Sequence, residues 1–340
     1  MGDKILQFGT AKAGPGERGT GFVKAGELSD GSSVDIPVVI LNGSNLGPRL
    51  MIIGGEDGDE YPGPLGAMDA ANNVLPKMLK EMSGSAVFLP IVNITAFRGN
   101  PYGGGMRNSP LDLDQGLRLP RLYPGLSNGR HSEQLAFQIS YVQKQYDPDI
   151  FVRLHGCRQI YGWDRVLFRK PTPGSKLDNL ARACVTRPGT MVLLTTDNPA
   201  IVGKKGEEER PIEISLETNG GDDGVGNGMN GDAMRDGIVN MMRHLDMIPG
   251  NEIKVGKIQY VSSKPSVYSA KGGFFKSLVK VKDEVRQGQT IGEIRNFFGE
   301  VSEEIRAPFD GVVLGYWCAA PHVGAGQWRI FEIAGRSDYR

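Results

Sequence analysis

The sequence predicts an α/β protein, a mixed and largely parallel sheet flanked by helices, followed by a small all-β domain. Three observations carry this. Short apolar runs bounded by turn residues alternate with segments of helical spacing up to about residue 248. Beyond Pro249 the helical period vanishes, and short strands with regular glycine turns take over. Finally, 48 of the 340 residues are glycine, about twice the usual share, which a chain needs where turns and close backbone approaches are many. A chain of 340 residues exceeds what one core usually holds, so the division is placed at 1–248 and 249–340.

In chain order, residues 20–48 alternate β-type segments with turn signals, as an antiparallel hairpin at the start of a sheet does. Arg49–Gly54 is a short apolar run of the kind buried in parallel sheets, and it stops abruptly in GEDGDEYPGP. Leu65–Met82 has helical spacing, with Pro76 marking a kink or break. Ala86–Val92 reads as the next strand. Residues 93–128 form a long irregular stretch with a Gly103–Gly105 run, and loops of that length inside a domain are usually functional. Ser132 is placed as the cap of a helix carrying Leu135, Ile139 and Val142 on one face, and Asp149–Leu154 as a strand ending at His155. A helix at Leu177–Val185 and strands at Thr190–Thr195 and Ile212–Leu216 follow. A glycine-rich loop at 220–232 then leads to a helix over Ala233–Leu245.

The composition excludes several functions. Lys and Arg total 39, as do Asp and Glu, so the chain lacks the basic footprint of a nucleic-acid or anionic-membrane binder, and no apolar run is long enough to span a bilayer. A small-molecule partner is expected, and a homo-oligomer is compatible with the composition. Three scattered cysteines suit a reducing, cytoplasmic setting, and Cys157 reads as small packing. With 4 histidines in the chain, any metal site must draw on carboxylates.

Chemistry-bearing residues gather at strand ends, where α/β sheets place their ligands. Glu56, Asp57, Asp59 and Glu60 follow the first buried strand, His155 ends another, and Glu217 closes EISLE. An acidic loop alone is commonly a solvated turn. Two ligands from that loop, the imidazole of His155 and a base at Glu217 together make an open metal site with room for water.

These segments resemble the succinylglutamate desuccinylase and aspartoacylase family, a branch of the zinc carboxypeptidase fold. GGEDGDEYPGP is similar to the family's G-x-HGDE-x-x-GP loop, RLYPG (121–125) to its N-R-x-F-P-G, VRLHG (152–156) to its I-D-L-H, and ISLETNGG (214–221) to its T-V-E-x-G-G. The C-terminal KGGFFKSLVKVKDEVRQGQTIGEI is similar to its small lipoyl-type or hammerhead-like β-domain. The resemblance implies a zinc-dependent hydrolase of amides in N-acyl amino acids or related small molecules. It implies Glu60 and His155 as metal ligands and Glu217 as general acid and base. Arg121 stands where the family clamps the substrate carboxylate, with Arg118 as the alternative in a different spacing, and Arg107 stands where it polarises the scissile carbonyl.

The departures from the pattern are charged. Asp57 stands where the first histidine ligand belongs, Pro120 or Leu117 where the asparagine before the clamp belongs, and Arg153 where an acid precedes the histidine. Two carboxylates and one imidazole neutralise a divalent ion, which suits Mn²⁺ or Mg²⁺ better than the ancestral set does. On a strand Arg153 and His155 share a face, so the alternative is an Asp57–Arg153 ion pair that replaces the metal, leaving a metal-free site with changed chemistry or ligand binding only. A third alternative is a non-catalytic subunit that assembles through its β-domain.

Overall fold

A computed structural model of the protein describes residues 4–58, 60–98, 119–156, 160–162, 165–169, 174–186, 191–195, 211–218, 231–256, 259–261, 265–317, 322–326 and 329–335. The strands of its main sheet are β1 (Glu17–Glu27), β2 (Ser33–Asn42), β3 (Asn45–Gly54), β4 (Ser83–Leu89), β5 (Ile150–Gly156), β6 (Arg165–Arg169), β7 (Met191–Thr195), β8 (Ile212–Thr218) and β9 (Gln259–Val261). Their spatial order is β9-β7-β6-β8-β5-β3-β4-β2-β1. The central strands β8, β5, β3 and β4 are mutually parallel and bring their carboxyl ends to one edge. The hairpin β1-β2 and its pairing with β4 are antiparallel. β6 runs parallel to β7 but antiparallel to β8. β6 leaves little trace in the sequence, because RVLFR has arginine at both ends and lacks the turn-bounded apolar run of the other strands.

The apolar runs arise because both faces are covered. Along β3, Leu50 and Ile52 enter one core and Met51 and Ile53 the other; Ala86 and Phe88 alternate in the same way with Val87 and Leu89. The first core is closed by α1 (Pro62–Asp69), α4 (Lys176–Ala183) and α5 (Asp232–His244), through residues such as Ala67, Leu180 and Ile238. The second is closed by α3 (His131–Tyr146) through Leu135, Ile139, Val142 and Tyr146. Toward the carboxyl end of β5 the second face changes character: after the core residue Phe151 come Arg153 and His155. A polar site thus begins where helix cover ends.

Two local outcomes differ from expectation. Ser132 lies buried in the first turn of α3; the cap position is Arg130, whose backbone N–H donates to the Glu133 carboxylate at 2.7 Å. A third-position glutamate that satisfies the first orphan amide explains the earlier start. The expected helix 65–82 is an α-helix only to Asp69, then a π turn at Ala70–Val74 and a 3₁₀ turn at Leu75–Met78. Pro76 has no N–H for the ladder, so the hydrogen-bond spacing shifts around it. The Arg18 guanidinium accommodates the irregularity by donating to the Ala71 carbonyl at 3.2 Å.

Beyond β9 the chain forms two small antiparallel sheets around Val285, Ile294, Ile305, Val313, Phe331 and Ile333. The exchange between the two parts runs both ways. β9 joins the main sheet beside β7, and Ile160–Gly162, shortly after His155, pairs with Gly311–Trp317 of the small sheets. No described helix is long and apolar enough to cross a membrane.

Gly66 provides a test of how closely α1 meets α5. An added Cβ there would lie 2.4 Å from Met234 Cβ and 2.6 Å from the Gly231 carbonyl oxygen. A helical Gly→Ala change ordinarily stabilises by about 1 kcal/mol; Gly66→Ala is expected instead to destabilise by about 1–3 kcal/mol through overpacking. Urea denaturation reads the sign, and a gain in stability would show that the contact is not tight.

Candidate active site

The loop that leaves β3 is shaped by glycine and asparagine. Gly55 has φ +66°, a left-handed conformation that costs an L side chain energy. At Gly58 a Cβ would lie 2.4 Å from the backbone carbon of Ala96, so the loop is pressed against α2 (Ile94–Arg98). The buried Asn93 clamps it. Its backbone N–H donates to the Gly55 carbonyl at 3.1 Å, and its Nδ2 donates to the Glu56 carbonyl at 3.1 Å. Its Oδ1 accepts from Thr95 Oγ1 and the Ala96 N–H. Asn93 is invisible to motif reading because it makes these contacts through the loop backbone.

The result is a buried carboxylate cluster. Glu56, Asp57 and Glu60 are each no more than 4 % exposed. His155 Nδ1 lies 3.0 Å from Glu60 Oε2, which also accepts from the Gly156 N–H at 3.0 Å. The other ring nitrogen, Nε2, is 3.2 Å from Glu56 Oε2. Arg153 Nε donates to that same oxygen at 2.8 Å, and Arg153 Nη1 donates to Glu213 Oε1 at 3.3 Å. Tyr123 Oη donates to Glu56 Oε1 at 2.9 Å.

Burial alone would raise the Glu56 carboxyl, but the Arg153 guanidinium and the His155 ring outweigh it and bring its pKa down to about 2. Burial alone would likewise lower the His155 imidazole, yet its contacts with Glu56 and Glu60 raise it to about 10. The Tyr123 phenol is pushed up by burial and by the Glu56 charge. It therefore remains a donor.

Asp57, Glu60 and His155 each offer a ligand atom, and these atoms lie within 4.8 Å of one another. Two donors on one ion at about 2.0–2.2 Å in a tetrahedral arrangement stand roughly 3.3–3.6 Å apart, a few tenths of an ångström beyond the 3.0 Å between His155 Nδ1 and Glu60 Oε2. A metal-ligating histidine commonly presents its second nitrogen to a carboxylate, as His155 presents Nε2 to Glu56. The donor set fits a divalent ion. Glu217 is the register partner of His155 across β8 and β5 and is half-buried beside it.

Arg153 and His155 do share a face, as the strand period requires, but the ion pair differs from the expected one. The guanidinium takes Glu56 and Glu213 as its partners, one residue away from Asp57 and one strand over. Arg121 is exposed at the end of a short 3₁₀ turn, and its motif reaches the site through Tyr123. Arg107, Arg118, Asp59, Cys157 and the 220–230 part of the glycine-rich loop lie outside the described residues. The sequence marks no role for Glu213, Tyr123 or Asn93. Only the excess of acids at 56–60 hinted at Glu56.

No protein-family model matches the chain. It is 26 % identical over 310 residues to an N-alpha-acetyl-L-2,4-diaminobutyric acid deacetylase of Halomonas elongata, covering 86 % of this chain and 85 % of that one. Solved structures share its fold. A succinylglutamate desuccinylase/aspartoacylase from Rhodobacter sphaeroides has a TM-score of 0.75 at 22 % identity, covering 98 % of each chain. An aspartoacylase family protein from Mesorhizobium loti has a TM-score of 0.72 at 22 % identity, covering 98 % of this chain and 99 % of that one. A product-bound ectoine utilization protein, EutE, from Ruegeria pomeroyi has a TM-score of 0.72 at 18 % identity over 94 % of each chain. The resemblance read from the motifs thus extends to the fold of the whole chain: a mixed, mostly parallel sheet with a separate all-β region.

Asn93→Ala is expected to cost about 1–3 kcal/mol, because it leaves the buried Glu56 carbonyl without its side-chain donor. Equilibrium denaturation checks this. Stability equal to the parent protein would mean that the loop holds itself without the clamp.

Proposed function

We propose that the protein is a metal-dependent deacylase that hydrolyses the amide of an N-acyl amino acid or a related small molecule. Asp57, Glu60 and His155 hold the ion and Glu217 moves the proton. The observation that carries this is the convergence of the three ligand atoms within 4.8 Å at the carboxyl edge of the sheet, with Glu217 on the neighbouring strand. Similarity along most of the chain to a deacetylase supports the reaction class.

A divalent ion bound there supplies Lewis acidity to water and to the scissile carbonyl. Glu217 accepts a proton as water oxygen bonds to the carbonyl carbon, and returns it to the nitrogen as the C–N bond breaks. One amide and one water become one carboxylate and one amine. Arg121, or Arg118 in the alternative spacing, binds the substrate carboxylate with a planar guanidinium, and Arg107 polarises the carbonyl. Gly156 and His155 orient Glu60 through its Oε2. The ligand charges cancel those of a divalent ion, so Mn²⁺ is a candidate beside Zn²⁺.

One observation favours a second reading, metal-free chemistry or binding only. His155 already lies between Glu56 and Glu60 at 3.2 and 3.0 Å, a closed arrangement that a protonated ring satisfies without an ion.

Metal analysis and hydrolysis of N-acetyl amino acids distinguish the two. Protein from cells grown with zinc and manganese should carry close to one ion, and Glu217→Gln should keep it while lowering kcat by about 10²–10⁴-fold. Metal below about 0.1 equivalent, with hydrolysis indifferent to chelators, would favour the second reading. Asp57→His should shift the metal preference from Mn²⁺ toward Zn²⁺ in competition dialysis, as an added nitrogen donor does; an unchanged preference would remove Asp57 from the ligand set.

A further inference from the structure

We propose that Glu56, held by Arg153, is the positioning residue of His155: it holds the Nε2 side of the ring and thereby turns Nδ1 toward Glu60. This rests on the metal-site reading and adds a residue to it. The geometry converges on a single oxygen. Glu56 Oε2 lies 3.2 Å from His155 Nε2 and accepts from Arg153 Nε at 2.8 Å. The other oxygen, Oε1, accepts from Tyr123 Oη at 2.9 Å. With side-chain exposures of 1 % for Glu56 and 5 % for Arg153, water does not compete for these bonds.

A carboxylate gripped at both oxygens cannot turn away, so the ring that meets it keeps one orientation. Arg153 faces only carboxylates among its described ion-pair partners. It thereby fixes the carboxylate that meets the ring. The arrangement assigns a purpose to the charged departure at 153: Arg153 holds the loop acid Glu56 against the ring of His155.

The test uses the full chain with Zn²⁺ as the probe, in competition with a chromophoric chelator, and with nitrogen-15 NMR of the histidine rings, of which the chain has 4. Glu56→Gln keeps the shape and removes the charge. It should weaken Zn²⁺ binding by about 10–100-fold and abolish the slowly exchanging His155 Nε2 proton in the metal-free protein. Glu213→Gln, which alters Arg153 without touching the ring, should change Zn²⁺ affinity by less than about 3-fold and keep that proton. Equal weakening by both variants, or unchanged affinity in Glu56→Gln, would overturn the proposal by reducing the pair to a fold-stabilising contact. If the parent chain binds no Zn²⁺, the metal reading fails by itself. The metal-free ring spectrum of Glu56→Gln then still decides: a persisting slow Nε2 proton refutes the role of Glu56, and its loss upholds that role. Should Glu56→Gln unfold, Tyr123→Phe, which frees one oxygen of Glu56, should accelerate exchange of the same proton, and unchanged exchange refutes the proposal.

Discussion

A guanidinium with 5 % of its side chain exposed needs nearly complete counter-charge, and Arg153 imposes that requirement on everything around it. Glu56 answers from the loop after β3 and Glu213 from the start of β8, so three neighbouring elements of the sheet are tied by charge at Arg153. Removing one partner of such a buried pair costs about 3–5 kcal/mol, against a total stability of about 5–15 kcal/mol for a typical domain. The orientation of the 55–60 loop is therefore part of what holds this region of the fold together. The loop that carries two candidate ligands is built before any ligand arrives.

The same arrangement sets the electrostatics at His155. A ring between two ionised carboxylates strongly favours its proton, and its pKa of about 10 expresses that. Under the proposed metal reading, an ion held at Nδ1 would have to displace this proton, so ion and proton would compete for one position. The benefit is geometric: Nδ1 and Glu60 already stand at 3.0 Å, which lowers the ordering needed on binding. Under the same reading, Asp57 in place of an imidazole would move the site the same way, toward more negative charge and harder ions.

Much of the fold was legible from periodicity. Continuous apolar runs at 49–54 and 86–92 meant strands covered on both faces, and the spacing of Leu135, Ile139 and Val142 marked the buried stripe of α3. Pro76 marked the irregular end of the 65–82 segment, the 3₁₀ turn Leu75–Met78 in which it sits, because a missing donor acts within its own turn. Sheet membership was less legible. Ile160–Gly162 and β9 are 3-residue strands that joined sheets away from their sequence neighbours, and so few residues carry no period of their own.

For the site, the sequence by itself determined the residue types and their faces. Strand ends bring Glu217 and His155 together, and the two-residue repeat sets Arg153 beside His155. Only the tertiary structure decided which acid meets the arginine. Glu56 and Asp57 are adjacent, equally acidic and equally close to Arg153 along the chain, yet the left-handed turn at Gly55 and the grip of Asn93 on the loop backbone aim their side chains differently. A contact across 97 residues depends on that aim. Periodicity is a property of neighbours along the chain; the direction of a side chain in an irregular loop is set by what the loop packs against.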